Sequence, residues 1–554
     1  MRTLLAAALL TCAMGGTHAQ EAPAAAAPEA PAAQAAAAAA PATLDDFDAY
    51  VEGVRKQFDV PGIAVAIVKD GEIVLERGYG LRSIESKQLV DEHTMFAIAS
   101  NTKAFTAASL SILADEGKLK LDDRVIDHLP WFQMADPYVT REMRVRDLLV
   151  HRSGLSLGAG DLMFWPTTTY STEDIVRRLR HVPIKGGFRS QYAYDNVLYG
   201  VAQLVIEEVS GQSFEAFLRS RIFGPLGMDE TRFNSDALKP GDNAATGHAK
   251  ADFNDLQTVP PLTWSNVAAA GGLYSSVHDL TKWMRLQLSG GLIEKGAASG
   301  EGEDAKRLFS EARQREMWSV VTPMPIGKPA VPELAPAVPN FLGYGEGWNL
   351  SDYRGEKLVW HTGGWPGMVS RLTLVPSKKI GIVVLTNQEV GAAFHAVTLR
   401  ALDAMLGAPA TDWTQAYAKA VGAQQDKADE DWKKHLAARD ASSKPSLPLT
   451  RYAGTYRDPW YGDVVIRQGG RGLEIQFSKT EQLLGDLEHW QHNSFVVRWR
   501  DRALNADAFL NFALDADGKI TGATMEAISP LTDFSFDFQD LRLAPVETES
   551  AKKP

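Results

Sequence analysis

Ser100-Asn101-Thr102-Lys103 heads a run, Ser100 to Glu116, whose pattern predicts a helix. Phe105, Ala108, Ser109, Ile112 and Leu113 recur at the spacing of one buried face, and Gly117 stands where a helix stops. Residues three apart on a helix lie one above the other, so such a helix must hold the Lys103 amine beside the Ser100 hydroxyl. A serine hydroxyl is a poor nucleophile until an adjacent base takes its proton. A lysine can be that base only if burial or neighbouring cations pull its pKa well below the usual ~10.4. Taken alone, S-x-x-K is a weak pattern in a chain with many serines and lysines.

Two distant segments add to it. Tyr194-Asp195-Asn196 lies 94 residues beyond Ser100 and precedes an apolar helical run, Val197 to Val209. His361-Thr362-Gly363-Gly364 follows the strand-like Lys357-Leu358-Val359-Trp360 and precedes a second apolar run, Val369 to Asn387. Singly, Tyr194 reads as a packing aromatic and Asn196 as a helix cap. The order of the three is what gives them meaning.

In that order the chain resembles the serine hydrolases related to class C β-lactamases, penicillin-binding proteins and D-alanyl-D-alanine peptidases. That family carries S-x-x-K, then Y-x-N, then K-T-G or H-x-G. Further matching stretches are Leu148-Leu149-Val150-His151-Arg152-Ser153-Gly154-Leu155, Gly224-Pro225-Leu226-Gly227-Met228 and Gly271-Gly272-Leu273-Tyr274-Ser275. The likeness runs from about residue 45 to about 405. It implies an α+β fold, an antiparallel sheet flanked by helices plus a helical subdomain, with the cleft between them. It implies that Ser100 attacks a carbonyl to form an acyl-enzyme and that Lys103 or Tyr194 is the base. Asn196 would hold Lys103 and a substrate amide, and His361, Thr362 and Gly363 would line the substrate. The oxyanion hole would be the N–H groups of Ser100 and Gly364, each such donor lowering the barrier by about 2.7–4 kcal/mol. Glycines at 363 and 364 suit a strand that another backbone approaches closely.

The third motif departs from the β-lactamase pattern. A lysine there offers a fixed positive charge to a substrate carboxylate, whereas an unperturbed histidine is mostly neutral at pH 7. Within the resembled family, His361 points to the esterase, D-aminopeptidase and amidase branches, and Asp195 in the second motif points the same way. The expected function is hydrolysis of a peptide, amide or ester, with a D-amino-acid peptidase, amidase or esterase favoured. β-Lactamase or D-alanyl-D-alanine carboxypeptidase activity is the alternative, and a penicillin-binding cell-wall sensor with little turnover is a reading of another class. Gly154-Leu155-Ser156-Leu157-Gly158 also satisfies G-x-S-x-G, the nucleophile elbow, which requires a strand before it and a helix after it. Here a short helix end precedes it and a loop follows.

At 554 residues the chain has room for two or three domains. Its net charge of −12, without basic runs, argues against nucleic acid or an anionic membrane as partner. The twelve histidines are scattered, His489 and His492 form an isolated pair, and no H-E-x-x-H occurs. We expect no metal and no cofactor, and a small-molecule or peptide substrate, a cell-wall fragment included.

Arg2, the apolar stretch Leu4 to Met14 and Thr17-His18-Ala19 read as a signal peptide over residues 1–19. Cleavage there would remove Cys12, the only cysteine, and deliver a periplasmic or secreted protein; lipid anchoring through Cys12 is the less favoured reading. No later stretch has the length of a membrane span. Residues 20–43, rich in Ala and Pro, read as a linker. Asp45 to Phe58 reads as an amphipathic helix, and Ile63 to Val68 and Glu72 to Arg77 flank the hairpin signal Asp70-Gly71. Residues 293–340, charged and then proline-rich, read as a variable loop or insertion. Phe164, Trp165 and Trp365 are candidates for an acyl pocket or for plain core packing.

Residues 44–406 thus form the expected hydrolase domain, 407–449 a helical linker, and 450–544 a C-terminal β domain. In the last, Val464-Val465-Ile466, Leu473 to Phe477, Phe495 to Trp499, Phe509 to Leu514, Ile520 to Met525 and Phe534 to Phe538 are expected strands of a small antiparallel barrel or sandwich. This part resembles the lipocalin-like domain appended to some of these hydrolases. It is expected to pack against or cover the cleft.

Overall fold

The structure is a computed structural model that describes residues 40–293, 306–470 and 472–547. The signal-peptide reading, Cys12 and most of the Ala/Pro-rich segment lie outside the described residues. Among the described residues, no helix is long and apolar enough to cross a membrane.

An eight-stranded antiparallel sheet organises the first part of the chain. Its strands are β1 (Gly62–Lys69), β2 (Glu72–Gly80), β3 (Thr322–Pro323), β4 (Leu342–Tyr344), β5 (Asn349–Tyr353), β6 (Glu356–Trp365), β7 (Met368–Val375) and β8 (Ile380–Thr386). Their order is β2-β1-β8-β7-β6-β5-β4-β3, so the early hairpin joins the sheet by pairing β1 with the late strand β8. The hairpin turns at Asp70 and Gly71, both at positive φ (52° and 85°), as a two-residue antiparallel turn requires.

β1 from Gly62 to Val68 and β8 from Ile380 to Leu385 are apolar throughout because both of their faces are covered. Ala64, Ala66, Val383 and Leu385 point to the face that packs on Trp283 and Met284 of the helix Val277–Leu288. Ile63, Val65, Ile382 and Val384 point to the other face, against α1 (Phe47–Gln57) and the helix Gly391–Leu406. The helix α2 (Thr102–Asp115) follows a 3-10 turn, Ala99–Asn101, and Gly117 ends it at φ 70°. The spacing predicted one buried face. Instead every residue from Thr102 to Ala114 is buried, because helical segments, Val197–Ser210 among them, and the turn at Gly347 pack around α2.

The long helix Trp413–Ala438 begins within the first core, where Trp413 is fully buried and its Nε1 donates to Asp403 at 2.8 Å. Its far end brings Trp432 against Trp490 and Phe509 of a second sheet. That sheet holds β9 (Gly454–Asp458), β10 (Gly462–Gly469), β11 (Gly472–Phe477), β12 (Leu484–Gln491), β13 (Ser494–Trp499), β14 (Ala508–Leu514), β15 (Ile520–Ala527) and β16 (Ala544–Pro545). The order is β15-β14-β13-β12-β11-β10-β9-β16, and Ala523 and Leu543 exchange two backbone hydrogen bonds, so the barrel nearly closes.

One expected strand is absent. Phe534 to Phe538 is a loop that ends in the 3-10 turn Phe538–Asp540. Its alternation is real: Phe536 and Phe538 stack toward the barrel, while Ser535 and Asp537 face away and are buried. The polar face is satisfied by the hydrolase part of the chain rather than by a neighbouring strand. Alternation reports two faces, but not what covers them.

Ile382→Ala leaves a cavity between the sheet and its covering helices, and should lower stability by about 2–5 kcal/mol. A lower urea midpoint than wild type, with native far-UV circular dichroism before the transition, checks this.

Candidate active site

The chain passes from a short strand, Phe96–Ala97, into α2 through Ala99, held at φ 46°. A non-glycine residue in the left-handed region is strained and is found where the surrounding structure over-determines it. Here the turn puts Ser100 at the rim of a cavity of about 750 Å³. Ser100, Tyr194, Asn196, His361, Thr362 and Gly364 all line that cavity.

Lys103, one turn along, is fully buried. Its Nζ lies 2.7 Å from Asn196 Oδ1, 2.8 Å from the Ala270 carbonyl and 3.1 Å from Ser100 Oγ. Burial pulls its pKa from the usual 10.5 down to about 7, although the nearby carboxyls of Asp161 and Asp195 act in the opposite direction. The three contacts fix where the lone pair goes. Two of them are carbonyl oxygens that can only accept, and they take the two hydrogens of a neutral amine. The remaining direction, toward Ser100 Oγ, is left to the lone pair.

Tyr194 donates to Ser100 Oγ at 2.9 Å from the other side. Burial raises its pKa well above the usual 10, so it stays a phenol. The Leu148–Leu155 stretch holds it there. His151, fully buried, sets its ring 4.2 Å from that of Tyr194, and its Nδ1 accepts from the Asp195 N–H at 3.2 Å. Ser153 Oγ donates to the Asp195 carboxylate at 2.9 Å.

Asn196 sits between two partners that decide its orientation. Its Oδ1 accepts from Lys103, and its Nδ2 donates to Asp161 Oδ2 at 2.8 Å. The flipped amide would aim a donor at a donor and an acceptor at an acceptor.

Strand β6 forms the opposite wall. β5 pairs with it only as far as Trp360, so residues 361–365 present a bare edge toward the Ser100 turn. Gly363 has to be glycine: a Cβ there would lie 2.2 Å from the Ile98 carbonyl and 3.0 Å from the Ala99 Cβ. Ser370 on β7 ties the two walls, donating to the Ile98 carbonyl and accepting from Asn101 Nδ2, both at 2.8 Å. His361 is committed on both ring nitrogens, with Nδ1 donating to the Thr362 carbonyl at 2.6 Å and Nε2 accepting from Tyr344 at 2.8 Å. Burial, chiefly, lowers its pKa to about 3, so the imidazole is neutral.

Phe164 and Trp165 line the cavity, whereas Trp365 packs behind Trp264 at 4.2 Å between ring centroids. Ser156 also lines it, but a 3-10 turn (Val145–Leu149) stands before it where the nucleophile elbow needs a strand. Among the described residues, no cluster of three or more His, Cys, Asp or Glu could hold a metal.

Sequence reasoning passed over Asp161, Tyr344, the Ala270 carbonyl and Ser535. Asp161 opens a 3-10 turn (Asp161–Met163) too short to show periodicity, and a carbonyl ligand has no side-chain signature. Ser535 sits inside the pattern that mimicked a strand.

Comparison with known proteins locates this geometry. The Beta-lactamase family matches residues 47–405, and a domain of unknown function (DUF3471) matches residues 438–545. The unguisins hydrolase ungD of Aspergillus violaceofuscus is 30% identical over 467 residues, spanning 79% of this chain and 78% of that protein. The octameric penicillin-binding protein homologue from Pyrococcus abyssi superposes with a TM-score of 0.56 at 21% identity, covering 90% of this chain and 99% of that one. The D-amino acid amidase from Ochrobactrum anthropi SV3, complexed with D-phenylalanine, superposes with a TM-score of 0.51 at 23% identity, covering 68% and 99%.

His361 should stay neutral on titration from neutral pH down to about pH 4, above its pKa of about 3. Histidine ring shifts in NMR, assigned with His361→Gln, test this. Gly363→Ala should push β6 off the Ser100 turn and slow fluorophosphonate labelling by about a hundredfold, with circular dichroism unchanged.

Proposed function

The chain belongs to the beta-lactamase family and is a serine hydrolase of that fold, and we propose that it hydrolyses an uncharged amide, peptide or ester through an acyl-enzyme on Ser100. The observation that carries this reading is the buried Lys103 amine, with its two hydrogens engaged and its lone pair aimed at Ser100 Oγ. Neutral Lys103 accepts the Ser100 proton as Oγ bonds to the substrate carbonyl carbon. The oxyanion forms against the N–H groups of Ser100 and Gly364. The bond to the leaving group then breaks, and the proton returns from Lys103 through the Tyr194 phenol to the leaving nitrogen or oxygen. Water attacks the acyl-enzyme while Lys103 takes its proton, and Ser100 departs reprotonated. Tyr194, kept protonated by burial, suits the relay better than the base.

The substrate reading rests on charge and shape. A neutral His361 offers no fixed cation to a carboxylate, which disfavours β-lactams and C-terminal D-alanine as best substrates. The cavity is lined by Phe164, Trp165, Trp264, Trp360 and Phe534, which suits an aromatic or bulky apolar acyl group. The relative whose name gives it unguisins as substrate and the neighbour named as a D-amino acid amidase are in keeping with an amide, and a D-configured one is our first choice. We place the hydrolase unit at residues 44–406 and the second unit at 450–544. From the leader-like residues 1–19 we place the mature protein outside the cytoplasm.

Ser100→Ala should cut turnover of an aromatic D-aminoacyl p-nitroanilide by about a thousandfold or more. In the wild type, kcat/KM should rise with pH and level off above about pH 7, because the base works only unprotonated and the pKa of Lys103 is about 7. A rate that falls across that range would remove Lys103 from the role. Nitrocefin, assayed alongside, should be the poorer substrate.

A further inference from the structure

The loop that replaces the expected strand leads into the site. Ser535 Oγ donates to Asp161 Oδ2 at 2.9 Å, the same oxygen that accepts Asn196 Nδ2 at 2.8 Å. Asp537 accepts the N–H groups of Gly160 and Leu162, at 2.7 and 3.0 Å, which brackets Asp161 along the backbone. Asp533 accepts the Ser535 N–H at 2.8 Å and so holds the serine itself. Phe534 sets its ring edge-on to Tyr194 at 5.9 Å between centroids. It reaches that position only because residue 158 is glycine: a Cβ on Gly158 would meet the Phe534 carbonyl at 2.7 Å and its ring at 2.8 Å. Asp161, Ser535 and Asp537 are all buried, and Asp161 Oδ1 has no hydrogen-bond partner.

A buried carboxylate with one orphan oxygen depends on the donors at its other oxygen. Take one away and it binds a proton more readily. As a carboxylate, Asp161 can only accept, so it can only be faced by the NH2 end of Asn196, and the carbonyl end must then meet Lys103. As a protonated acid it tolerates either orientation. We propose that Ser535, carried by the C-terminal barrel, is a positioning residue of the hydrolase centre, acting through Asp161 to keep the Asn196 carbonyl on Lys103. The hydrolase motifs therefore do not suffice on their own, because the chain's second part supplies one link of the hydrogen-bond series Ser535–Asp161–Asn196–Lys103–Ser100. This rests on the reading of Ser100 and Lys103 given above.

The electrostatic consequence has a sign. Lys103 is faced by Asp161, Asp195, His151, His361, Tyr194 and Tyr199, and Asp161 in turn by Lys103, Asp533 and Asp537. Both histidines are held below their usual pKa by burial, and the tyrosines stay phenolic. Burial pushes the Asp161 pKa well above the usual carboxylate range, and the hydrogen bonds from Asn196 and Ser535 act to bring it back down. Asp161 is thus the group near Lys103 whose charge responds to Ser535. A negative Asp161 favours the ammonium form of Lys103, so losing that charge makes the amine neutral at lower pH.

The test uses the full chain and the second-order rate of labelling by a fluorophosphonate, measured against pH. Ser535→Ala should lower the plateau rate about tenfold, the scale of one lost hydrogen bond. It should also move the acid-side midpoint down by about half a pH unit or more, with Asp161→Asn moving it further the same way. Ser535→Thr, which keeps the hydroxyl, should restore both rate and midpoint. A Ser535→Ala profile that matches wild type overturns the proposal. So does a slower rate with an unmoved midpoint, which is what loosened packing alone would give. If Ser100→Ala still labels at the wild-type rate, the reading of the site fails and this inference with it. If Ser100→Ala is inert and Ser535→Ala behaves as wild type, only this inference fails.

Discussion

The protein keeps a lysine amine where an amine is costly to charge. Lys103 is enclosed by α2, by the segment that carries Asn196 and by the Ala270 carbonyl, and its hydrogen-bond partners are neutral. Burial of that kind disfavours the ammonium form, and carbonyl acceptors at two of three corners leave one direction for a lone pair. Much of the surrounding architecture can be read as what this requires. α2 must be buried all round, which needs packed chain on every side. Asn196 must be kept from flipping, which needs an acceptor behind it, the Asp161 Oδ2. The strained Ala99 turn must hold Ser100 at the cavity rim, which needs β6 pressed against it with no side chain at Gly363.

The third motif shows how a wall residue acquires its character from its neighbours. A histidine at the end of a strand is ordinarily poised to titrate near neutral pH. His361 is not, because Tyr344 and the Thr362 carbonyl occupy its nitrogens and burial resists its charging. The cavity is lined by aromatic side chains, with a neutral ring where a lysine would bring charge.

The two parts of the chain are joined by more than a linker. The Trp413–Ala438 helix starts in one core and ends against the other. The barrel also meets the hydrolase part through Tyr170 and the Tyr461 carbonyl, the Lys185–Asp540 and Arg502–Asp252 ion pairs, and the Ser535–Asp161 contact at the site itself. A domain with no catalytic groups of its own can matter to catalysis in this way, by holding a carboxylate that holds an amide.

What the sequence determined by itself was the local grammar and the chemical parts. The S-x-x-K spacing set Lys103 beside Ser100, because a helical turn is a local fact. Asp70-Gly71 set the hairpin for the same reason, and the strand patterns at 357–387 and 464–525 emerged as strands because the period of two is written in adjacent residues. What only the tertiary structure decided was which distant group faces which. Phe534 to Phe538 carried a strand's alternation, yet its polar side met Asp161 and the Gly160 and Leu162 amides rather than a ladder. Asp161 gave no signal in its short turn, and nothing in His361-Thr362 foretold Tyr344. Periodicity tells which side of a segment is apolar. Pairing across hundreds of residues depends on how the packed layers close, and that is settled only when the whole chain has folded.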